Sequence, residues 1–229
     1  SNNVIKDCWV ERYGSLVSDK IHIIPFGYSS EQVNAFKPFT GTLPQSDKVI
    51  LSYIGTCAGE RNFQSLIKAI DLLYVRYPEC KDKMEIRLLG NLLECDKDLI
   101  ESRKLGHIIK YIGRKTQDEL SKYYRESDVF IVIDSPQERN VFFPSKLVDY
   151  FYYQRPILGI SPRIGVTNEL LTASGNHCFE NNDIEGIANY LHTAISDFTY
   201  LLSIDKKYYQ NFLPDSINTE YKQVLNNIF

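Results

Sequence analysis

No apolar run in this chain approaches the length of a membrane span: the longest, Val129 to Ile133, is strand-sized, and Ser1 to Gly14 is too polar for a signal peptide. Cysteine is sparse, and Cys8, Cys57, Cys80, Cys95 and Cys178 are odd in number, scattered and without a C-x-x-C pair. A disulfide framework and a zinc site are therefore not indicated, and a reducing, cytoplasmic compartment is expected. His22, His107, His177 and His192 lie too far apart to form a nucleophile or zinc pattern. Charge of one sign is also missing, since 26 Lys plus Arg stand interspersed with 29 Asp plus Glu, so no broad basic field attracts nucleic acid or anionic lipid. Gly55-Thr-Cys-Ala-Gly59 completes neither G-x-G-x-x-G nor a Walker loop, which argues against dinucleotide binding and ATP hydrolysis.

What is abundant is aromatic: 16 Tyr and 12 Phe in 229 residues, ample for one large core or two small ones. The periodicity alternates between strand and helix. Strands are expected at Lys20 to Ile24, Val49 to Ile54, Met84 to Leu89, Ile108 to Ile112, Val129 to Ile133, Ile157 to Ile160 and His177 to Glu180. Between them lie a helix capped by Asn62, a weaker one over Asp96 to Leu105, and one started by the Thr116 to Glu119 capping box. A short one at Asn168 to Leu171 and a long one capped by Asp183 and running toward Leu202 follow. Alternation of this kind specifies an α/β fold with a doubly wound parallel sheet and right-handed crossovers. A separate terminal helix is expected over Phe212 to Phe229, Ser1 to Ser18 shows neither strand alternation nor a long helical face, and 37 to 48 reads as a linker loop.

The chemistry concentrates in Phe143 to Ile157. Ser145 is placed to cap a helix beginning at Lys146, so that backbone N–H groups, the helix dipole and an ammonium face one point where phosphate is the natural occupant. Further along this helix Asp149 lies close to the face of Lys146, near enough for a carboxylate to meet a ribose hydroxyl of the same ligand. Tyr150 to Tyr153 read as packing surface, because consecutive residues cannot share one helix face. Arg61 stands between a strand-end glycine and the Asn62 cap, a second place for a cation beside an anion.

Ile23-Ile-Pro-Phe-Gly27, Tyr53-Ile-Gly55 with Arg61-Asn62, Leu89-Gly90, Ile112-Gly113, Ser127-Asp-Val129, and Pro144-Ser-Lys146 with Asp149 and Pro156 occur in the order and spacing of a known group. The chain resembles the donor half of a GT-B glycosyltransferase of family 4, or group 1, retaining type, a Rossmann-like C-terminal domain. The resemblance implies a nucleoside diphosphate sugar bound at the loops of Gly55, Gly90, Gly113 and Ser135. It implies Arg61 and Lys146 as the groups stabilising the departing diphosphate, with Gly55, Thr56, Asn62, Gly113, Arg114, Pro144, Ser145 and Asp149 at the donor. No metal or other cofactor is implied, and no Asp-x-Asp pair stands on a strand-end loop.

Three positions depart from the family's pattern. Thr56 replaces an Arg that often follows the first glycine, Val141 replaces the first of two glutamates eight positions apart, and Gln154 replaces a frequent glycine. Glu138 or Asn140 is the candidate substitute for the missing glutamate. The resemblance implies transfer of a hexose-type sugar to a sugar, lipid-linked or other hydroxyl acceptor. It divides the chain into a remnant at 1–19 of an interdomain segment or missing N-terminal domain, a donor-binding domain at 20–203 and a helical tail at 204–229. The acceptor site would come from that missing domain, as would any contact with the inner face of a membrane, and the opening Ser-Asn, without Met, reads as an excised domain. The alternatives are a non-catalytic nucleotide-sugar-binding module and a GT-B-type sugar-nucleotide epimerase, which should supply acid/base carboxylates and histidines that do not assemble here.

Overall fold

The computed structural model describes residues 2–35, 44 and 46–228, so most of the expected linker at 37 to 48 lies outside the described residues. The strands are β1 Val49–Ile54, β2 Met84–Leu89, β3 Ile109–Gly113, β4 Val129–Ile133, β5 Arg139–Asn140, β6 Ile157–Ile160, β7 Ile164–Gly165 and β8 His177–Phe179. The helices are α1 Asn3–Tyr13, α2 Ser30–Ala35, α3 Gln64–Arg76, α4 Glu94–Ser102, α5 Gln117–Glu126, α6 Lys146–Tyr152, α7 Val166–Ala173, α8 Ile184–Ser196 and α9 Pro214–Ile228. Six strands form one parallel sheet in the order β3-β2-β1-β4-β6-β8, while β5 and β7 make a small parallel bridge.

The alternation of side chains along β4 builds both layers. Val129, Ile131 and Ile133 enter a core shared with α3, α4 and α8, whereas Phe130 and Val132 enter a second core with α5, α6 and α7. The expected doubly wound α/β sheet is thus present. Tyr150, Phe151, Tyr152 and Tyr153 are all buried, each toward a different neighbour: Tyr150 stacks on Phe130, Phe151 on Phe212, and Tyr153 on Tyr124, while Tyr152 meets Tyr28 edge-on. The packing role expected of this run is observed, and the segment before α9 covers the outer face of α6 through Tyr208 and Phe212.

Several boundaries differ from expectation. Lys20 to Ile24 is not a strand: Ser15–Lys20 is a 3₁₀ helix, and the connector that follows is irregular, held to the segment before α9 by Tyr28 N–H donating to Phe212 C=O at 2.8 Å. The N-terminal segment is a helix, α1, although it has no apolar stripe. The Asn2 side chain caps it by accepting from Ile5 N–H, and Gly14 ends it at φ 78°. The Thr116–Glu119 capping box is present, and Asp183 caps α8 by accepting from Gly186 N–H at 2.8 Å. That helix stops at Ser196, with Phe198–Leu202 continuing as a 3₁₀ turn.

Gln154, where a glycine was expected, holds φ at 55°, the left-handed region that costs a non-glycine residue about 1–2 kcal/mol. Gln154→Gly recovers this less the extra entropy of glycine in the unfolded chain, so urea denaturation should show a gain of about 0.5–1 kcal/mol. A loss of stability would show that the Gln154 side chain makes a compensating contact.

Candidate functional site

The strand order reverses between β1 and β4, and this is where a parallel sheet opens a crevice at its carboxyl edge. The two strands pair only through Leu51–Val129, Ser52–Phe130 and Tyr53–Ile131 and then part. The Tyr150 hydroxyl fills the gap, accepting from Ile54 N–H at 3.0 Å and donating to Ile131 C=O at 3.2 Å.

Glycines let the loops close on one another at this edge. Gly55 N–H donates to Leu89 C=O and Gly90 N–H to Gly113 C=O, each at 2.9 Å. Gly90 holds φ at 115°, and a Cβ there would run into the Gly55 carbonyl, so only glycine fits. Arg114 ties the third loop to the second through Asn91 Oδ1 at 2.7 Å.

Lys146 reaches into the crevice from α6. Its Nζ lies 3.7 Å from the centre of the Tyr53 ring and 3.0 Å from where a Cβ on Gly55 would stand. The stem is partly exposed, but the ammonium is buried and has no hydrogen-bond partner. Burial first, then repulsion from Arg61, push it down to about 7, against a smaller opposing attraction from Asp134. Arg61 follows β1 on the same edge, its carbonyl accepting from Cys57 Sγ at 2.9 Å, and the Tyr53 ring and Asp134 add to the surroundings of the ammonium. Asp134 is 1% exposed at the end of β4; Ser161 donates to its Oδ2 at 2.8 Å, while Oδ1 has no partner. The only sequence signal for Asp134 was a lone acid directly after a fully apolar strand.

The other candidates divide. Ser145 occupies the N-cap position of α6 but makes no side-chain cap; its φ of −54° and ψ of −31° are already helical, and the first turn instead closes through Pro144 C=O and Ser145 C=O. The expected side-chain cap is thus replaced by local turns. Asn62 is not the N-cap of α3, which is Phe63, though its Oδ1 still accepts from Gln64 N–H at 3.1 Å. The buried Asp96 takes the Phe63 N–H at 2.9 Å. Thr56 is exposed, its carbonyl held by the Tyr53 hydroxyl at 3.3 Å.

Asp149 faces Tyr124, whose hydroxyl donates to it at 3.3 Å, and burial pushes its carboxyl up to about 6. No ion pair joins it to Lys146 among the described residues. Glu138 is exposed. Asn140 stands in the β5–β7 bridge: its Oδ1 accepts from Phe142 N–H at 3.0 Å and its backbone packs on Gly165, while its buried Nδ2 has no hydrogen-bond partner among the described residues. The structure therefore brings Lys146 to the Gly55 loop, while Asn140 stands in the β5–β7 bridge. Among the described residues, Glu79, Cys80 and His192 come together as metal-ligating types at the opposite edge of the sheet, away from this crevice.

Sheet order and crevice define a Rossmann-like α/β unit, and in open parallel sheets the switch point is where ligands generally bind. The chain belongs to the group 1 glycosyl transferases, whose family model matches residues 36–210. An alpha-monoglucosyldiacylglycerol synthase of Acholeplasma laidlawii is 25% identical over 139 residues, 58% of this chain and 33% of that protein. The crystal structure of Anabaena HepE in complex with UDP and glucose superposes with a TM-score of 0.70 at 16% identity, covering 96% of this chain and 60% of that one. Sucrose-phosphate synthase of Thermosynechococcus elongatus gives 0.71 at 17% identity, covering 98% and 56%. The chain thus spans a third of the curated relative's length, and the two structures support the fold. No helix among the described residues is long and apolar enough to cross a membrane.

Proposed function

We propose that this chain is the donor-binding, C-terminal part of a GT-B enzyme that transfers a hexose-type sugar, with retention, from a nucleoside diphosphate to a hydroxyl of a sugar or lipid-linked acceptor. The acceptor site belongs to a further part of the protein. The observation that carries this reading is the buried ammonium of Lys146, without a hydrogen-bond partner and held over the Gly55 loop at the switch-point edge of the sheet, where Arg61 repels it. An unpaired buried cation is unfavourable alone and becomes favourable when an anion arrives. The names of the relatives, one crystallised with UDP and glucose and one a glucosyldiacylglycerol synthase, support a sugar nucleotide as that anion.

In this reading Lys146 and Arg61 neutralise the charge that develops on the diphosphate as it leaves, without a metal ion. Asp149, on the Tyr124 side of α6, takes the ribose, and the Gly55, Gly90 and Gly113 loops let the ligand approach the backbone. Lys146 supplies the test. A bound diphosphate favours the ammonium, so above pH 7 binding must take up a proton, while Cys57, pushed up to about 12 chiefly by burial, stays a neutral thiol. Affinity for a UDP-sugar that binds, whose phosphates do not titrate in this range, should fall by up to about tenfold per pH unit between pH 7 and 9. A flat calorimetric profile would contradict the assignment.

A further inference from the structure

At the switch point two buried ionisable side chains each have an atom without a hydrogen-bond partner among the described residues. Lys146 Nζ and Asp134 Oδ1 are both out of contact with solvent and without hydrogen bonds. They attract one another, yet no ion pair joins them among the described residues. An ammonium only donates and a carboxylate only accepts, so a group bridging them must accept on one side and donate on the other. A hydroxyl does both. A phosphate diester oxygen has no proton to donate and would be repelled by Asp134.

Two protein hydroxyls beside these groups are already engaged. Ser161 is bonded to the other oxygen of Asp134 at 2.8 Å, and Tyr53 turns its hydroxyl to Thr56 C=O at 3.3 Å while presenting its ring face to Lys146. A cavity of ≈ 260 Å³, lined by Pro136, Gln137, Pro162, Glu180, Asn181 and Asn182, lies beside Asp134, whose carbonyl accepts from Asn181 Nδ2 at 3.5 Å. Arg61 follows β1, Asp134 follows β4 and Lys146 begins α6, all at the carboxyl edge of the sheet where this polar space also opens. Val141, where a sugar-binding glutamate was expected, has no group that accepts from a hydroxyl beyond its backbone, and its carbonyl is taken by Asn2 Nδ2 at 2.9 Å.

We propose that Asp134 and Lys146 together bind one hydroxyl of the donor's sugar, next to the diphosphate, and that Asp134 is a specificity-determining residue for that sugar. The inference rests on the reading of the crevice as a nucleotide-sugar site. Asp134 accepts from the hydroxyl, Lys146 donates to it and to a phosphate oxygen with its remaining N–H groups, and Ser161 fixes the carboxylate. A bridging water is the competing occupant, and it predicts no discrimination between a sugar nucleotide and its bare nucleotide.

The test is calorimetry of this chain with UDP, GDP and ADP and with their hexose conjugates, followed by the monodeoxy analogues of whichever conjugate binds. Asp134→Asn should weaken the sugar nucleotide about tenfold and the bare nucleotide hardly at all, as expected for one charge-assisted hydrogen bond. One monodeoxy analogue should show a similar loss on the unchanged chain and little further loss on Asp134→Asn. Ser161→Ala, which leaves the carboxylate in place but free to turn, should give a smaller loss for the sugar nucleotide only. Equal losses for nucleotide and sugar nucleotide overturn the inference and leave the nucleotide site standing. The analogue series needs no altered protein, and uniform affinity across it also overturns the inference. No binding by any of the nucleotides overturns the proposed function and this inference together.

Discussion

Lys146→Met is expected to weaken nucleoside diphosphate binding by about ten- to a hundredfold, leave nucleoside binding nearly unchanged, and make the protein more stable. The first two effects follow from losing a charge-assisted hydrogen bond, about 1.5–3 kcal/mol, that only a phosphate-bearing ligand makes. The third follows from burial: the ammonium sits out of water with Arg61 repelling it, so a methionine of similar length removes an uncompensated charge. Exchanging buried charge for apolar volume stabilises by about 1–4 kcal/mol in other proteins. The folded-state value of about 7 lies below the ordinary lysine value of 10.5. Below pH 7 both states hold the proton and the full penalty is present; between pH 7 and 10.5 the unfolded chain binds more protons, so unfolding becomes steadily harder. The advantage of Lys146→Met should therefore be largest at pH 6 and shrink by pH 9 in thermal melts. A variant that binds UDP and uridine with equal losses would remove Lys146 from the phosphate site.

Asp149→Asn should separate the ribose from the phosphates. It is expected to weaken uridine and UDP about tenfold while leaving inorganic pyrophosphate unaffected, because an amide is a poorer acceptor for ribose hydroxyls than a carboxylate. The wild-type chain should imitate the variant on acidification. With the Asp149 carboxyl pushed up to about 6 by burial, uridine affinity should fall as pH drops from 7 to 5. Equal loss of pyrophosphate binding in Asp149→Asn would indicate a general disturbance of α6 rather than a ribose contact.

The parts of this molecule legible in the sequence are those where local chemistry and tertiary position agree. Val129–Ile133 and Ile157–Ile160 are apolar on both sides because helices cover both faces of the sheet, and each strand begins and ends where its apolar run does. Thr116 and Glu119 carry their cap within four residues. The glycines at 55, 90 and 113 marked the strand ends because each takes a positive φ there, and at Gly90 the Gly55 carbonyl leaves no room for a side chain. The failures have the opposite character. Lys20 to Ile24 has strand composition but pairs with no strand among the described residues, and composition cannot report whether a partner strand is present. Helix α1 lacks an apolar stripe because its fixed points are polar: the Asn2 side chain donates to Val141 C=O at 2.9 Å, and Glu11 pairs with Arg139 at 2.7 Å.

The candidate site shows the same division. Lys146 was legible as a cation at a helix start, but its direction was not. The expectation placed it beside backbone N–H groups capped by Ser145, whereas it reaches across to Gly55 and Tyr53. Asp134 was invisible as a site residue because its significance depends on that reach and on Ser161 from the neighbouring strand. Thr56 seemed to leave the first loop short of a cation, and the structure brings Lys146 from α6 to the same loop.

The central claim is that protein cations at the switch point hold the diphosphate of a sugar nucleotide. It is tested most directly by titrating the unmodified chain, in EDTA, with millimolar UDP-, GDP- and ADP-hexoses while following thermal stability. A ligand bound only by the native state at a hundred times its dissociation constant stabilises by about 2.7 kcal/mol, so one family of nucleotides should raise the melting temperature by several degrees without metal. No shift with any of them, or a shift that appears only when magnesium or manganese is restored, would contradict the account.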